Sequence, residues 1–378
     1  MPEFSLTGPR GDNPLGFLTA LGTLVTLEDA GHLARLGWVG MQPRLVVEDG
    51  PSTREALIEI LYTTLRREPG AGAAKIDEAK KDLKKAKASL NRANKGLKGL
   101  DREARARELE PFEIAVREKE AAFAKLLTTS GADASITLGR KLNVSNGKLL
   151  EFVSTASEQS RIAGRRWVDL AAAYGVADPV QPEKRMLATP WALVSGQQEF
   201  LGSVAELMIR CTRDHLNRAL FGPWEPCDQK YSLRLDAAED RRYALMARDP
   251  TASGNEPPTL WGANRLAFEA LRCFPTMPVR GGMGVRAWRP ARGNRQNGWS
   301  EDSRVRWPLW DEAIPMSVVL SLLGLTELWS NDVSARARLR GYGVRAVVES
   351  RRVAVRDYGN LTPALPVWIG PNRTTETH

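Results

Sequence analysis

The chain has little of what most catalytic and metal sites are built from. Histidine occurs three times, at His32, His215 and His378. It is the commonest general base and zinc ligand, so Ser-His-Asp hydrolysis and His-rich metal sites are poorly supplied. Cysteine also occurs three times, as Cys211, Cys227 and Cys273, with no C-x-x-C pair. That spacing argues against a zinc ribbon and against a secreted disulfide framework, and fits a reducing cytoplasm. Long apolar runs are missing too. Residues 313–326 make an uncharged run of 14, where a bilayer needs about 20. Residues 13–27 follow Glu3 and Asp12 against a lone Arg10, with no small-residue cleavage site after them, which argues against a signal peptide. Asp12-Asn13-Pro14 reads instead as a capped helix start. Both runs are expected to be buried helices, with no membrane partner.

What is present is an ordinary globular composition, 42% hydrophobic and 26% charged over 378 residues, enough for two or three domains. The formal net charge of +9 favours a polyanionic partner, nucleic acid first. The charge is unevenly spread. Residues 75–125 hold ten of the fourteen lysines and five arginines against ten acids. Residues 280–306 hold seven arginines against Glu301 and Asp302. The rest of the chain is close to neutral.

The first of these segments has a heptad pattern. Ile76, Leu83, Leu90 and Leu97 recur every seven residues, with Ala79, Ala86, Ala93 and Leu100 three positions later. Gly96 and Gly99 interrupt the pattern, and Leu109, Phe112, Val116, Phe123 and Leu126 resume it. The spacing predicts an antiparallel coiled-coil hairpin inserted at 73–128. Elsewhere the pattern predicts helices at 14–30, 53–67, 155–174, 197–220, 261–273, 315–329 and 332–341. Strands are predicted at Leu45–Glu48, in PWALVS (190–195), in YSLRL and RRYALMA (231–249), and at 344–355. An Asn146-Gly147 turn is predicted to join two further strands. No regular βαβ alternation and no solenoid repeat is found. The expected fold class is α+β, with mixed helices, short antiparallel sheets and the inserted hairpin. The expected divisions are 1–72, 73–128, 129–275 and 276–378.

Candidate nucleic-acid contacts come from several places. In residues 280–306, Arg286, Arg289, Arg292, Arg295, Arg304 and Arg306 alternate with glycines and with Trp288 and Trp299. Arginine forks pair with phosphate, and aromatic faces stack on unpaired bases. Asn294 and Gln296 supply amides for a base edge. The spacing of Arg161, Arg165 and Arg166 puts all three on one side of a predicted helix. Gln197 and Gln198 follow Ser195-Gly196 at a predicted helix N-terminus, a position that favours an anion. For each, a solvated face or an empty cap is the plainer alternative. The acids Asp228, Asp236, Glu239, Asp240 and Asp249 form the one cluster suited to a divalent metal, although Arg241 and Arg242 follow them and ion pairing explains them as well. No cofactor is expected.

Three stretches carry a resemblance. They are PLGFLTALGTL (14–24), PWALVSGQQEF (190–200), and Gly262, Asn264 and Arg265 followed by Arg306, Trp307, Pro308 and Trp310. Together they resemble the large subunits of type I CRISPR surveillance complexes (Cascade) of the I-U/I-G group, which open with a similar apolar helix. The resemblance implies a non-catalytic subunit that reads the protospacer-adjacent motif in duplex DNA and helps form the R-loop. Its implied partners are a repeated crRNA-bearing backbone subunit, the subunit at the crRNA 5′ end, target double-stranded DNA and a recruited helicase-nuclease. Base pairing with the guide would read the remaining sequence. Two other classes stay open. One is a metal-dependent nuclease using the Asp236/Glu239/Asp240 turn; the other is a coiled-coil scaffold without direct nucleic-acid contact.

Overall fold

A computed structural model describes residues 1–65, 73–129, 138, 142, 144–163, 165–178, 181–193, 199–237, 258–279, 282–289, 303–355 and 358–370. The fold is α+β. At its centre is helix α1 (Pro14–Asp29), buried along its whole length from Pro14 to Leu27. Its start is capped as the sequence suggests. Asn13 Oδ1 accepts from the Leu15 and Gly16 amides at 2.9 and 3.3 Å, with Pro14 next to it. A buried helix cannot leave hydroxyls unpaired. Thr19, Thr23 and Thr26 therefore bond back to the carbonyls of Leu15, Thr19 and Gly22.

Two glycines set the helix packing. Helix α9 (Trp261–Ala270) presses so closely on α1 that a Cβ at Gly22 would overlap the Leu266 carbonyl. On its other flank, a Cβ at Gly262 would overlap the His215 carbonyl of α8 (Arg213–Phe221).

Two antiparallel sheets flank this helical core. Strands β1 (Glu3–Ser5), β2 (Leu33–Val39) and β3 (Gln42–Glu48) lie in the order β1-β3-β2. The C-terminal sheet holds β8 (Trp288–Arg289), β9 (Arg304–Trp310), β10 (Val344–Val355) and β11 (Tyr358–Leu361) in the order β11-β10-β9-β8. Strand β12 (Leu365–Ile369) also pairs with β10. Aromatic packing ties these parts together. Phe17 of α1 stacks on Trp38 of β2 and Trp307 of β9, with ring centroids 5.9 and 5.2 Å apart. Two of the buried indoles have polar partners, Trp307 donating to the Gly11 carbonyl and Trp310 to that of Leu36.

Residues 73–129 form two antiparallel helices, α3 (Ala73–Gly96) and α4 (Arg102–Thr129). Lys87 pairs with Glu120 at 2.7 Å, and Arg105 donates to Asn94 at 2.6 Å. Ile76, Leu83, Leu109 and Phe123 are buried on the facing seams. Phe112, expected on the seam, is exposed, as is Leu100 at the tip. The pair is anchored to α7 (Phe200–Arg210). The buried Glu206 accepts from Lys80 and Arg210 at 3.0 and 2.9 Å, and Arg210 also holds Asp77.

Several local expectations are corrected. Asn146-Gly147 opens helix α5 (Asn146–Ala163) rather than a β-turn, because the Asn146 amide donates to the carbonyls of Gln181 and Pro182. The helix expected at 155–174 is two, α5 and α6 (Arg166–Tyr174). The long helix expected at 197–220 breaks at Cys211, where Thr212 and His215 form a reciprocal cap for α8. YSLRL is not a strand: Lys230, Tyr231 and Arg234 have φ of 68°, 58° and 61°, which no extended strand allows. Pro190–Leu193 is a turn and irregular chain, with short β4 (Gly175–Val176) and β5 (Leu187–Ala188) nearby. The rest of PWALVS and all of RRYALMA lie outside the described residues. Strands β6 (Thr276–Val279) and β7 (Gly282–Val285) form a hairpin before β8. Helix α2 (Arg54–Leu65), α10 (Met316–Leu323) with a 3-10 turn at Thr326–Trp329, and α11 (Val333–Gly341) match expected helices. Among the described residues no helix is long and apolar enough to cross a membrane.

Candidate nucleic-acid interface

Strand β9 has two different faces. Val305, Trp307 and Leu309 point into the core and are buried. Arg304 and Arg306 alternate with them on the other face, as the two-residue period of a strand requires, Arg304 exposed and Arg306 mostly covered. Pairing then aligns arginines across strands. Arg304 is the direct partner of Arg289 on β8 and of Arg351 on β10. Directly paired residues share a face, so Arg289, Arg304 and Arg351 form an outward row. Neighbouring strands lie about 4.8 Å apart, making the row roughly 10 Å wide. Like charges placed directly opposite one another destabilise a sheet. Such a row fits a fold that meets an external anion.

One carboxylate serves much of this face. Glu349, the register partner of Arg306, accepts from Arg306 at 2.7 Å and from Arg304 at 3.3 Å. Trp329, in the 3-10 turn packed on this side, has Arg289 and Arg306 over its ring at 4.6 and 4.8 Å. That distance is within cation–π range. Arg289 has no carboxylate in ion-pair reach among the described residues. Partial burial, and then the neighbouring Arg306, push its pKa down.

The row borders the Arg/Gly/Trp-rich segment of the sequence. Arg289 and Ser303 are the last described residues on either side of 290–302. Arg292, Asn294, Arg295, Gln296 and Trp299 belong to that segment and lie outside the described residues, as do Gln197, Gln198, Glu239, Asp240 and Asp249. Of the other candidates, Arg161 and Arg165 are exposed and paired locally with Glu158 and Asp169. They do not share a helix face with Arg166, because the helix breaks between α5 and α6. Arg286 is half-buried and donates to the Cys273 carbonyl at 3.0 Å.

Two candidates are turned inward. Arg166 is buried, 2.9 Å from Glu269 and 3.5 Å from Asp29. Arg265 and Arg272 complete that cluster. Burial alone would raise the Glu269 carboxyl, but the guanidinium groups of Arg166, Arg265 and Arg272 hold it well below the usual carboxylate range. Arg166 is thus core ion pairing rather than an external contact. Trp288 is also buried, set edge-on to Trp191 at 5.1 Å. It is a packing residue rather than an exposed stacking platform.

The acidic turn has a structural use where it is described. Asp236 is buried and accepts from Asn13 Nδ2 and Trp224 Nε1 at 2.8 and 3.2 Å. Among the described residues no group of three or more His, Cys, Asp or Glu is arranged to hold a metal. A second concavity, of about 510 Å³, brings together Cys227, Asp228, His215 and Trp261. His215 Nδ1 is engaged by Thr212 and its Nε2 lies 3.4 Å from Asp228. Burial and the Asp228 charge push the Cys227 thiol upward, the wrong direction for a nucleophile.

The sequence reading missed Arg351, Trp329 and Glu349. Alternation within 344–355 places Glu349 and Arg351 on one face once the strand is recognised. Nothing in the sequence shows that Trp329 folds over that face. No family model, no curated protein and no solved structure matches the chain.

Proposed function

We propose that the chain is a non-catalytic, nucleic-acid-binding subunit of an RNA-guided DNA surveillance complex, of the kind the CRISPR Cascade large subunits represent. It would bind duplex DNA beside the protospacer-adjacent motif, aid R-loop formation and support recruitment of a helicase-nuclease. The observation that carries the proposal is the outward row Arg289–Arg304–Arg351. Phosphate contacts position a protein on DNA without reading sequence. In this reading the sheet holds the backbone while the amides of Asn294 and Gln296 meet base edges.

The test is co-expression with a crRNA-bearing backbone of repeated subunits, followed by binding of target duplex to the purified assembly. Co-purification and a loss of affinity when the adjacent motif is scrambled are expected. Failure to co-purify, or equal affinity for scrambled duplex, would remove the motif-reading role.

A further inference from the structure

Within the arginine face, one point differs from the rest. Arg289 and Arg306, from different strands, converge on the Trp329 ring. Arg306 spends its Nε on Glu349 and its Nη1 on the Leu328 carbonyl at 3.0 Å. Arg289 makes no hydrogen bond among the described residues, so its fork is held in place by the indole but remains unfilled. Behind them Arg336 is buried, with its ring contact on Trp368 at 5.4 Å. Its Nη2 donates to Asn331, while its Nη1 has no hydrogen-bond partner among the described residues. Burial, and then the charge of Arg306, push the Arg336 pKa down.

We infer that Arg289 and Arg306, which both contact the Trp329 ring, form a discrete site for one phosphate group of a nucleic-acid strand. This rests on the reading of the sheet face as a nucleic-acid interface and adds where a single phosphate is fixed. The geometry selects the ligand class. Donors from two strands suit a tetrahedral anion with several acceptor oxygens. The row continues through Arg304 and Arg351, so the anion is expected to belong to a chain of regularly spaced phosphates. An anion here would relieve the repulsion that Arg306 exerts on its neighbouring guanidinium groups. Glu349 is the built-in competitor for the same arginines.

The test uses the full chain and two probes, inorganic phosphate and a short DNA duplex. Phosphate should raise the melting temperature more than chloride at equal ionic strength, and Arg289→Gln should abolish the difference. Arg289 is exposed, so this variant is expected to fold. The same substitution should weaken duplex binding about tenfold and lower the slope of log K against log salt by about one. Glu349→Gln should act in the opposite sense, tightening duplex binding, which a purely structural ion pair would not do. If Arg289→Gln changes neither readout while Arg304→Gln with Arg351→Gln still weakens duplex binding, the single-phosphate site is wrong and the interface stands. If none of these variants alters duplex binding, the interface itself is wrong.

Discussion

The molecule uses arginine in two opposite ways, and comparing them shows what separates an internal fastener from a receptor. Around Glu269, Arg166, Arg265 and Arg272 meet two carboxylates, Glu269 and Asp29, at separations from 2.7 to 3.7 Å. The cluster is buried and closed: its charges are answered from within. On the C-terminal sheet, Arg289, Arg304, Arg306 and Arg351 stand on one face; Glu349 reaches Arg304 and Arg306, while Arg289 has no carboxylate in ion-pair reach among the described residues. Arginine count does not distinguish the two places. Local neutralisation does, and it follows from whether the partner acids fold onto the same side of the same element.

The comparison can be broken most forcefully at Glu269. Replacing it by alanine leaves Arg265 without a carboxylate and Arg166 and Arg272 with Asp29 alone, and should cost about 3–5 kcal/mol in urea unfolding. The same carboxylate gives a pH signature. Its folded pKa is depressed, so its contribution is present above the ordinary carboxylate value of 4.5 and is lost as pH falls below it. The urea midpoint should drop in that acid range, and Glu269→Gln should flatten the drop. Next in size is Gly22→Ala, which forces a methyl onto the Leu266 carbonyl and should cost about 1–3 kcal/mol by thermal unfolding.

On the open face, the expected effects move from stability to binding. Arg304→Gln with Arg351→Gln should leave stability within about 0.5 kcal/mol, because both side chains are exposed. Duplex affinity measured by fluorescence anisotropy should fall about tenfold or more. The smallest effect is expected on the arm. Lys84 and Lys95 lie exposed on α3, and Lys84→Gln with Lys95→Gln should shift duplex affinity by less than about threefold if that surface is merely solvated. An effect larger than that of the sheet variants would move the polyanion contact to the arm.

Much of the architecture was legible in the sequence where one signal dominated. The Asn13-Pro14 cap, the uncharged run of α1 and the seven-residue spacing of the arm each point to a helix, and each is one. Legibility failed where a long-range partner outvoted local chemistry. Asn146-Gly147 is a good turn pair, but its amide is claimed by the carbonyls of Gln181 and Pro182. YSLRL alternates like a strand, but left-handed residues at Lys230, Tyr231 and Arg234 turn the chain. The site divided in the same way. Arg304 and Arg306 were identifiable from composition, while Arg351 and Trp329 required strand register and packing. Arg166 looked no different from its neighbours until Glu269 was placed beside it. The residues carrying the family resemblance are mostly interior: Gly262 at a helix crossing, Asn264 and Arg265 buried, and Trp307 and Trp310 in the aromatic core. They speak to fold more than to contact with a ligand.

The most direct measurement is the salt dependence of duplex binding by the full chain, compared between the native sequence and Arg304→Gln with Arg351→Gln. Each lost phosphate contact should lower the slope of log K against log salt by about one, so the double variant should show a slope smaller by about two. An unchanged slope, with the fold intact, would contradict the assignment of the arginine row as the nucleic-acid interface.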